Sequence, residues 1–322
     1  MDDYVPIQRN RPVSVLILIL TAMIWGTAFV AQNEGGDEVG VYSFVCVRAV
    51  ITSAVLGILV PVFAKKGVIP PAPEKGKARR ALLVNGTVCG ICLYLTSLCQ
   101  QLGMQGGTPV GKAGFLTACY VVLVPVLGIF LKRRCGRNVW IAVVITFFGL
   151  YLLCLNGSLS FRRSDLVVFG AAVACAVQIH VIDHCIDTVD PVRLSLVQFV
   201  VSAVLGILPM LFLELLPVGV VAWTSEFLSR RALIALLYAG LISGAGGYTL
   251  QMVGQKGCEP TTASILMSLE SVFSVLAGWL LLHQVLSVRE LLGCALIFVA
   301  VVLAQLPGKK RKTQENIGHK NS

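Results

Sequence analysis

Apolar residues gather along this chain into blocks of about 20, parted by short polar stretches, and a block of that length can cross the hydrocarbon core of a bilayer as a helix. The pattern predicts spans near 13 to 33, 40 to 63, 81 to 105, 108 to 131 and 138 to 155, then near 165 to 186, 192 to 215, 232 to 255, 260 to 283 and 288 to 306. Val13 to Ile24 is almost unbroken apolar sequence, whereas a strand of a transmembrane barrel alternates polar and apolar residues over roughly ten positions. The expected fold class is therefore an all-α integral membrane protein of ten transmembrane helices. Arg9 and Arg11 ahead of the first block resemble the start of a secretory signal. Thr27 to Gln32 offers no convincing small-x-small cleavage pattern, however, and nine more spans follow, so this block is expected to stay as the first helix.

Composition agrees: 56% of the 322 residues are hydrophobic and only 13% charged, with a mean hydropathy of +0.83, and a soluble chain of this length would need more charge. The 26 Lys and Arg residues set the orientation. With the N-terminus in the cytoplasm, 19 of them lie inside, in the stretches around Arg9, Lys65 to Arg80, Lys132 to Arg137, Arg193, Lys256 and the tail after Pro307. Five (Arg162, Arg163, Arg230, Arg231 and Arg289) lie outside, and Arg48 and Lys112 fall within spans. Both termini are thus expected in the cytoplasm of a cell membrane. The same bias accounts for the net charge of +10, with membrane lipids as partners of the basic tail and no nucleic acid needed. Most of the eleven cysteines lie in apolar spans, where they pack as small hydrophobes. Cys89 and Cys92 form a CxxC, but without a second pair at zinc-site spacing.

An internal repeat divides the chain. At an offset of 150 residues, Gly107, Ala113, Leu116, Val122, Gly128, Leu131, Phe148 and Leu153 meet identical residues at 257, 263, 266, 272, 278, 281, 298 and 303. The register aligns the fourth and fifth spans with the ninth and tenth. Each half then has five spans, and an odd count makes the second half enter the membrane from the opposite side, as an inverted repeat. The expected units are 1–157, 158–307 and a basic tail, 308–322.

Trp25-Gly26-Thr27 with Phe29-Val30, Arg48, the run Gly111 to Thr117 with Val124-Pro125, and then Asp165-Leu166, Asp190-Pro191, Gln255-Lys256, Leu269-Glu270 and Gly278-Trp279 together resemble the EamA-like ten-helix members of the drug/metabolite transporter superfamily. The resemblance covers nearly the whole chain. It departs at Ser271, where such proteins usually have Pro after the Glu, and at Gln284, where many have Glu. It implies a substrate cavity between two halves that faces each side in turn, with efflux of metabolites or toxic compounds the commoner activity.

Polar residues recur at helical spacing in several spans: Thr21, Trp25 and Gln32; Tyr94, Ser97 and Gln101; Ser195, Gln198 and Ser202; Gly244, Tyr248, Gln251 and Gln255. Each set falls on one helix face. Such faces avoid lipid, so they point to helix contacts or a watered cavity. Glu270, near the middle of the ninth span, is the foremost candidate to bind a cationic group or a proton, or else to sit in a fixed ion pair with Arg48 or Lys112. Tyr120 joins these as a cavity candidate. His180, Asp183 and His184 have the spacing of a metal site on one helix face, although Asp183 and His184 also suit interfacial water, leaving His180 for cavity lining or proton handling. No Walker, HExxH or GxSxG sequence occurs. The expectation is accordingly a carrier rather than an enzyme, with no cofactor and no resident metal, driven by an ion gradient or by the solute's own gradient. Its partner is a small-molecule solute. A non-transporting membrane partner protein is the alternative, and the residues fix neither direction nor oligomeric state.

Overall fold

The computed structural model describes residues 11–35, 39–73, 76–133, 135–154, 162–283 and 286–306. The tail from 308, Arg9, Gln284 and the side chains of Phe29, Val30 and Gln32 lie outside the described residues. Among those described, ten helices are long and apolar enough to cross a membrane: α1 Arg11–Ala28, α2 Val41–Lys65, α3 Lys77–Gln105, α4 Lys112–Phe130, α5 Arg137–Cys154, α6 Arg163–Cys185, α7 Pro191–Val218, α8 Arg230–Gln255, α9 Pro260–Leu280 and α10 Val288–Gln305. Leu16, Ile58, Phe148, Leu208, Leu280 and Phe298 stand exposed, as suits a bundle whose solvent is hydrocarbon. Between α7 and α8 lies a helix, Val220–Glu226, too short to cross a membrane and so without the long apolar block that marks a span.

Local chemistry sets several ends. Asp190 accepts the Arg193 backbone N–H at 3.0 Å, and Pro191 opens α7. Ser287 and Glu290 close a reciprocal capping box on α10. Arg11 and Leu306 line one cleft, so the start of α1 and the end of α10 share a face of the bundle, here termed the terminal face.

Each half leans on the other. From the first half, α3 packs on α6 and α7, and α4 on α6; from the second, α8 packs on α1 and α2, and α9 on α1. In addition α2 packs on α7, and α5 on α10. The last contact is backbone-close: a Cβ built on Gly149 would lie 3.0 Å from the Gly293 carbonyl oxygen, and one on Gly293 2.8 Å from that of Gly149. Small residues permit such an approach where helices associate in lipid.

Two helices are interrupted at matching places. Segments Val110–Ala118 and Tyr120–Phe130 meet at Cys119 (φ −58°, ψ −11°), and Pro260–Met267 and Leu269–Leu282 meet at Ser268 (φ −63°, ψ −14°). Each break is one tight turn, closed by Val122 N–H to the Cys119 carbonyl (3.0 Å) and by Ser271 N–H to the Ser268 carbonyl (3.2 Å). In α9 the break comes without the proline that residue 271 lacks. There the Ser268 hydroxyl donates to the Ile265 carbonyl at 2.6 Å, a back-bond that competes with the helical ladder. The far ends match too. Lys132 (φ 56°) and His283 (φ 53°) are the non-glycine residues of positive φ among those described. Arg133 and His283 donate their N–H groups to Gly128 and Gly278, a pair identical at the 150-residue offset.

Candidate functional site

The breaks in α4 and α9 flank a cavity in the middle of the bundle. Its lining comes from seven helices: Trp25 and Ala28 of α1, Arg48 of α2, Thr96, Ser97 and Gln100 of α3, Thr117 and Tyr120 of α4, Cys175 and Gln178 of α6, Ser243, Tyr248 and Gln251 of α8, and Glu270 of α9. Both halves therefore contribute, and the wall mixes aromatic rings, amides, hydroxyls, one cation and one acid.

Its aromatic corner is tightly held. The Trp25 indole N–H donates to the Ser243 carbonyl at 3.4 Å, and its ring centroid lies 4.8 Å from that of Tyr248. Phe199 braces the other side of Tyr248 edge-on at 5.3 Å. Arg48 donates from Nη2 to Ser97 Oγ at 2.6 Å and also reaches the Tyr248 hydroxyl. Gln100 donates to Thr117 Oγ1 at 3.3 Å, joining α3 to α4 across the wall.

Glu270 differs from all of these. It is only 8% exposed, lies near Tyr120, Cys175 and Tyr248, and makes no hydrogen bond or ion pair among the described residues. A carboxyl group in that position needs compensation from something that enters the cavity, whether a proton or a cation. The Tyr120 hydroxyl and Gln251 Oε1 are also buried without a partner, and groups so placed are ordinarily satisfied by water or ligand. Beside the acid, α1 comes close to α9: a Cβ on Gly26 would lie 2.5 Å from the Glu270 carbonyl oxygen and 2.7 Å from the Ser274 nitrogen.

Of the residues expected from sequence, Trp25, Arg48, Tyr120, Tyr248, Gln251 and Glu270 meet in this one cavity. Five do not line it. Tyr94 is buried near Tyr42 and Cys46. Gln101 yields its place to the adjacent Gln100. Gln198 sits one layer behind, its Oε1 accepting from Gln178 Nε2 at 2.9 Å. His180 Nε2 is 2.8 Å from the Val124 carbonyl. Lys112 pairs with Asp165 at 2.5 Å, where Thr108 Oγ1 (2.9 Å) and the Arg162 N–H (2.7 Å) complete the carboxylate's shell. The alternative of a fixed ion pair between Glu270 and Arg48 or Lys112 is not met, since Arg48 bonds Ser97 and Lys112 pairs with Asp165.

Two of the metal-like trio meet other partners, His180 at the Val124 carbonyl and Asp183 at Arg133. Asp183 forms an ion pair with Arg133, and among the described residues no group of three His, Cys, Asp or Glu could hold a metal ion. Cys89 and Cys92 are buried free thiols. Sequence reasoning missed Thr96, Gln100, Thr117, Cys175, Gln178 and Ser243 as cavity residues. Gln178 was findable, because an amide deep in an apolar span is costly unless it has a partner or water.

A family model described as the EamA-like transporter family matches residues 13–155 and again 162–306. The chain is similar to an uncharacterized transporter of Archaeoglobus fulgidus, 25% identical over 299 residues that cover 90% of this chain and 84% of the other. It is similar also to the uncharacterized transporter YwfM of Bacillus subtilis, 26% identical over 311 residues covering 93% and 96%. A protein crystal structure shares the fold with a TM-score of 0.72 at 19% identity, over 94% of this chain and 99% of that one.

Proposed function

Because the chain belongs to the EamA-like transporter family, we propose that it is a secondary carrier of small metabolites or drugs, working by alternating access and coupled to protons through Glu270. The observation that carries this reading is an unpaired acid in a polar cavity shared by both halves. A proton or a cationic solute group compensates its charge in one state and leaves in the other.

The two units, 1–157 and 158–307, act as inverted repeats. Three features support that: the matching breaks in α4 and α9, the reciprocal packing of α3 and α8 on the opposite half, and a family match that runs twice. The excess of Lys and Arg in the loops of the terminal face supports a cytoplasmic orientation for that face and for both termini, in the cell membrane. Export is the favoured direction, on the family resemblance, and uptake is the alternative.

The test is uptake and counterflow of pooled labelled metabolites in proteoliposomes, with and without an imposed pH gradient. Accumulation that collapses with a protonophore is expected. Movement that ignores the gradient would remove the coupling, and no movement of any compound by folded protein would overturn the carrier reading in favour of a non-transporting partner.

A further inference from the structure

A second recess lies near the terminal face and shares no lining residue with the central cavity. It is a groove between α3 and the end of α4, floored by α6. Leu127, Phe130 and Leu131 form one wall, Val177 and Val181 lie at its base, and Asn85 stands opposite. Phe130 leaves 79% of its surface uncovered, so this wall presents hydrocarbon to hydrocarbon.

Polar groups stand at two depths in this apolar slot. His180, only 8% exposed, lies on its floor with Nδ1 buried and without a partner. Arg133 and His184, both exposed, stand at the mouth. These two side chains also line the neighbouring polar cleft, which holds Asp183 and Asp187. Arg133 thus divides the groove from the cleft, with its carboxylate partner Asp183 on the cleft side. The loop that bears Arg133 carries four basic residues between Lys132 and Arg137.

We propose that this groove binds an anionic phospholipid, with an acyl chain along Leu127 and Phe130 and the phosphate between Arg133 and His184. Three observations select that occupant. The walls take hydrocarbon, the mouth offers a guanidinium and an imidazole suited to phosphate oxygens, and the surrounding basic loop sits where lipid headgroups lie. A zwitterionic lipid would fill the walls equally but would leave the excess positive charge unanswered. The phosphate competes with Asp183 for Arg133, so weakening that ion pair strengthens lipid binding.

A tryptophan made as Phe130→Trp in a Trp140→Phe, Trp223→Phe, Trp279→Phe background, which leaves only Trp25 of the central cavity as a constant signal, reports on the groove in phosphatidylcholine vesicles. Brominated phosphatidylglycerol or brominated phosphatidylcholine is then added at equal low fraction. Quenching several-fold stronger with the brominated phosphatidylglycerol is expected, reduced to parity by Arg133→Gln and increased by Asp183→Asn. Equal quenching by the two lipids in the parent overturns the proposal and leaves ordinary boundary lipid. Should the reporter fail to fold, native mass spectrometry of the unmodified protein from mixed vesicles replaces it. Retained phosphatidylglycerol that disappears in Arg133→Gln supports the site, and retention indifferent to headgroup overturns it.

Discussion

The α4–α6 and α9–α1 pairs each join one half to the other and correspond to one another at the 150-residue offset, yet they are held together by different means. Three polar ties cross from α4 to α6: Lys112 to Asp165 at 2.5 Å near one face, the His180 ring to the Val124 carbonyl at 2.8 Å within the span, and Arg133 to Asp183 at the terminal face. Among the described residues no ion pair joins α9 to α1. Their contact is apolar packing of Leu18 and Ala22 against α9 together with Gly26 seated against the backbone from Glu270 to Ser274. In a membrane, paired charges are costly to separate, whereas a close glycine contact can slide or part without stranding a charge. The fold thus clamps one copy of the motif and leaves the other, which bears the unpaired acid, cohering by shape.

Four outcomes would break or sharpen that contrast. Glu270→Gln should abolish or uncouple proteoliposome transport while the protein stays folded, and normal counterflow in this variant would remove the special status of α9. Asp165→Asn, which takes the charge from a fully buried carboxylate paired with Lys112, should lower stability by about 2–4 kcal/mol, read as a shift in thermal unfolding in detergent. Gly26→Ala should cost about 1–3 kcal/mol through overpacking against the α9 backbone. Its transport rate should fall further than its stability if that contact must re-form in each cycle, and equal losses would mark it as packing only. Arg133→Gln should be the mildest, about 0–1 kcal/mol and reduced by added salt, because Arg133 is 42% exposed. A larger, salt-insensitive loss would make the terminal-face tie as rigid as the one at Asp165.

Most of the architecture was legible in the sequence because lipid demands long apolar blocks, and the ten spans fall within a few residues of their expected places. The cavity was half legible. Glu270, Trp25, Tyr248 and Gln251 stood out because polar groups in apolar spans must have a reason to be there. Periodicity could not choose between Gln100 and Gln101, adjacent amides of which one faces inward. Nor could it show that Lys112 would find Asp165, because that pair spans 53 positions and depends on how α4 meets α6. The breaks at Cys119 and Ser268 were hidden for a simpler reason. Neither is a proline, while Pro125 lies inside a segment that remains helical, Tyr120–Phe130.

The wide-turned stretch in α8, the π-helix Tyr238–Tyr248, crosses the level of the cavity and is rich in glycine. Helical windings of this kind carry each hydrogen bond one residue further along the chain than an α-helix does. Were a turn of it to tighten to the ordinary pitch, the residue released would rotate everything beyond it by roughly 100° about the helix axis. Tyr248 and Gln251 would then turn away from the central cavity. Such a segment resembles a slipped gear tooth, because one residue more or less in its winding changes which side chains beyond it face the cavity.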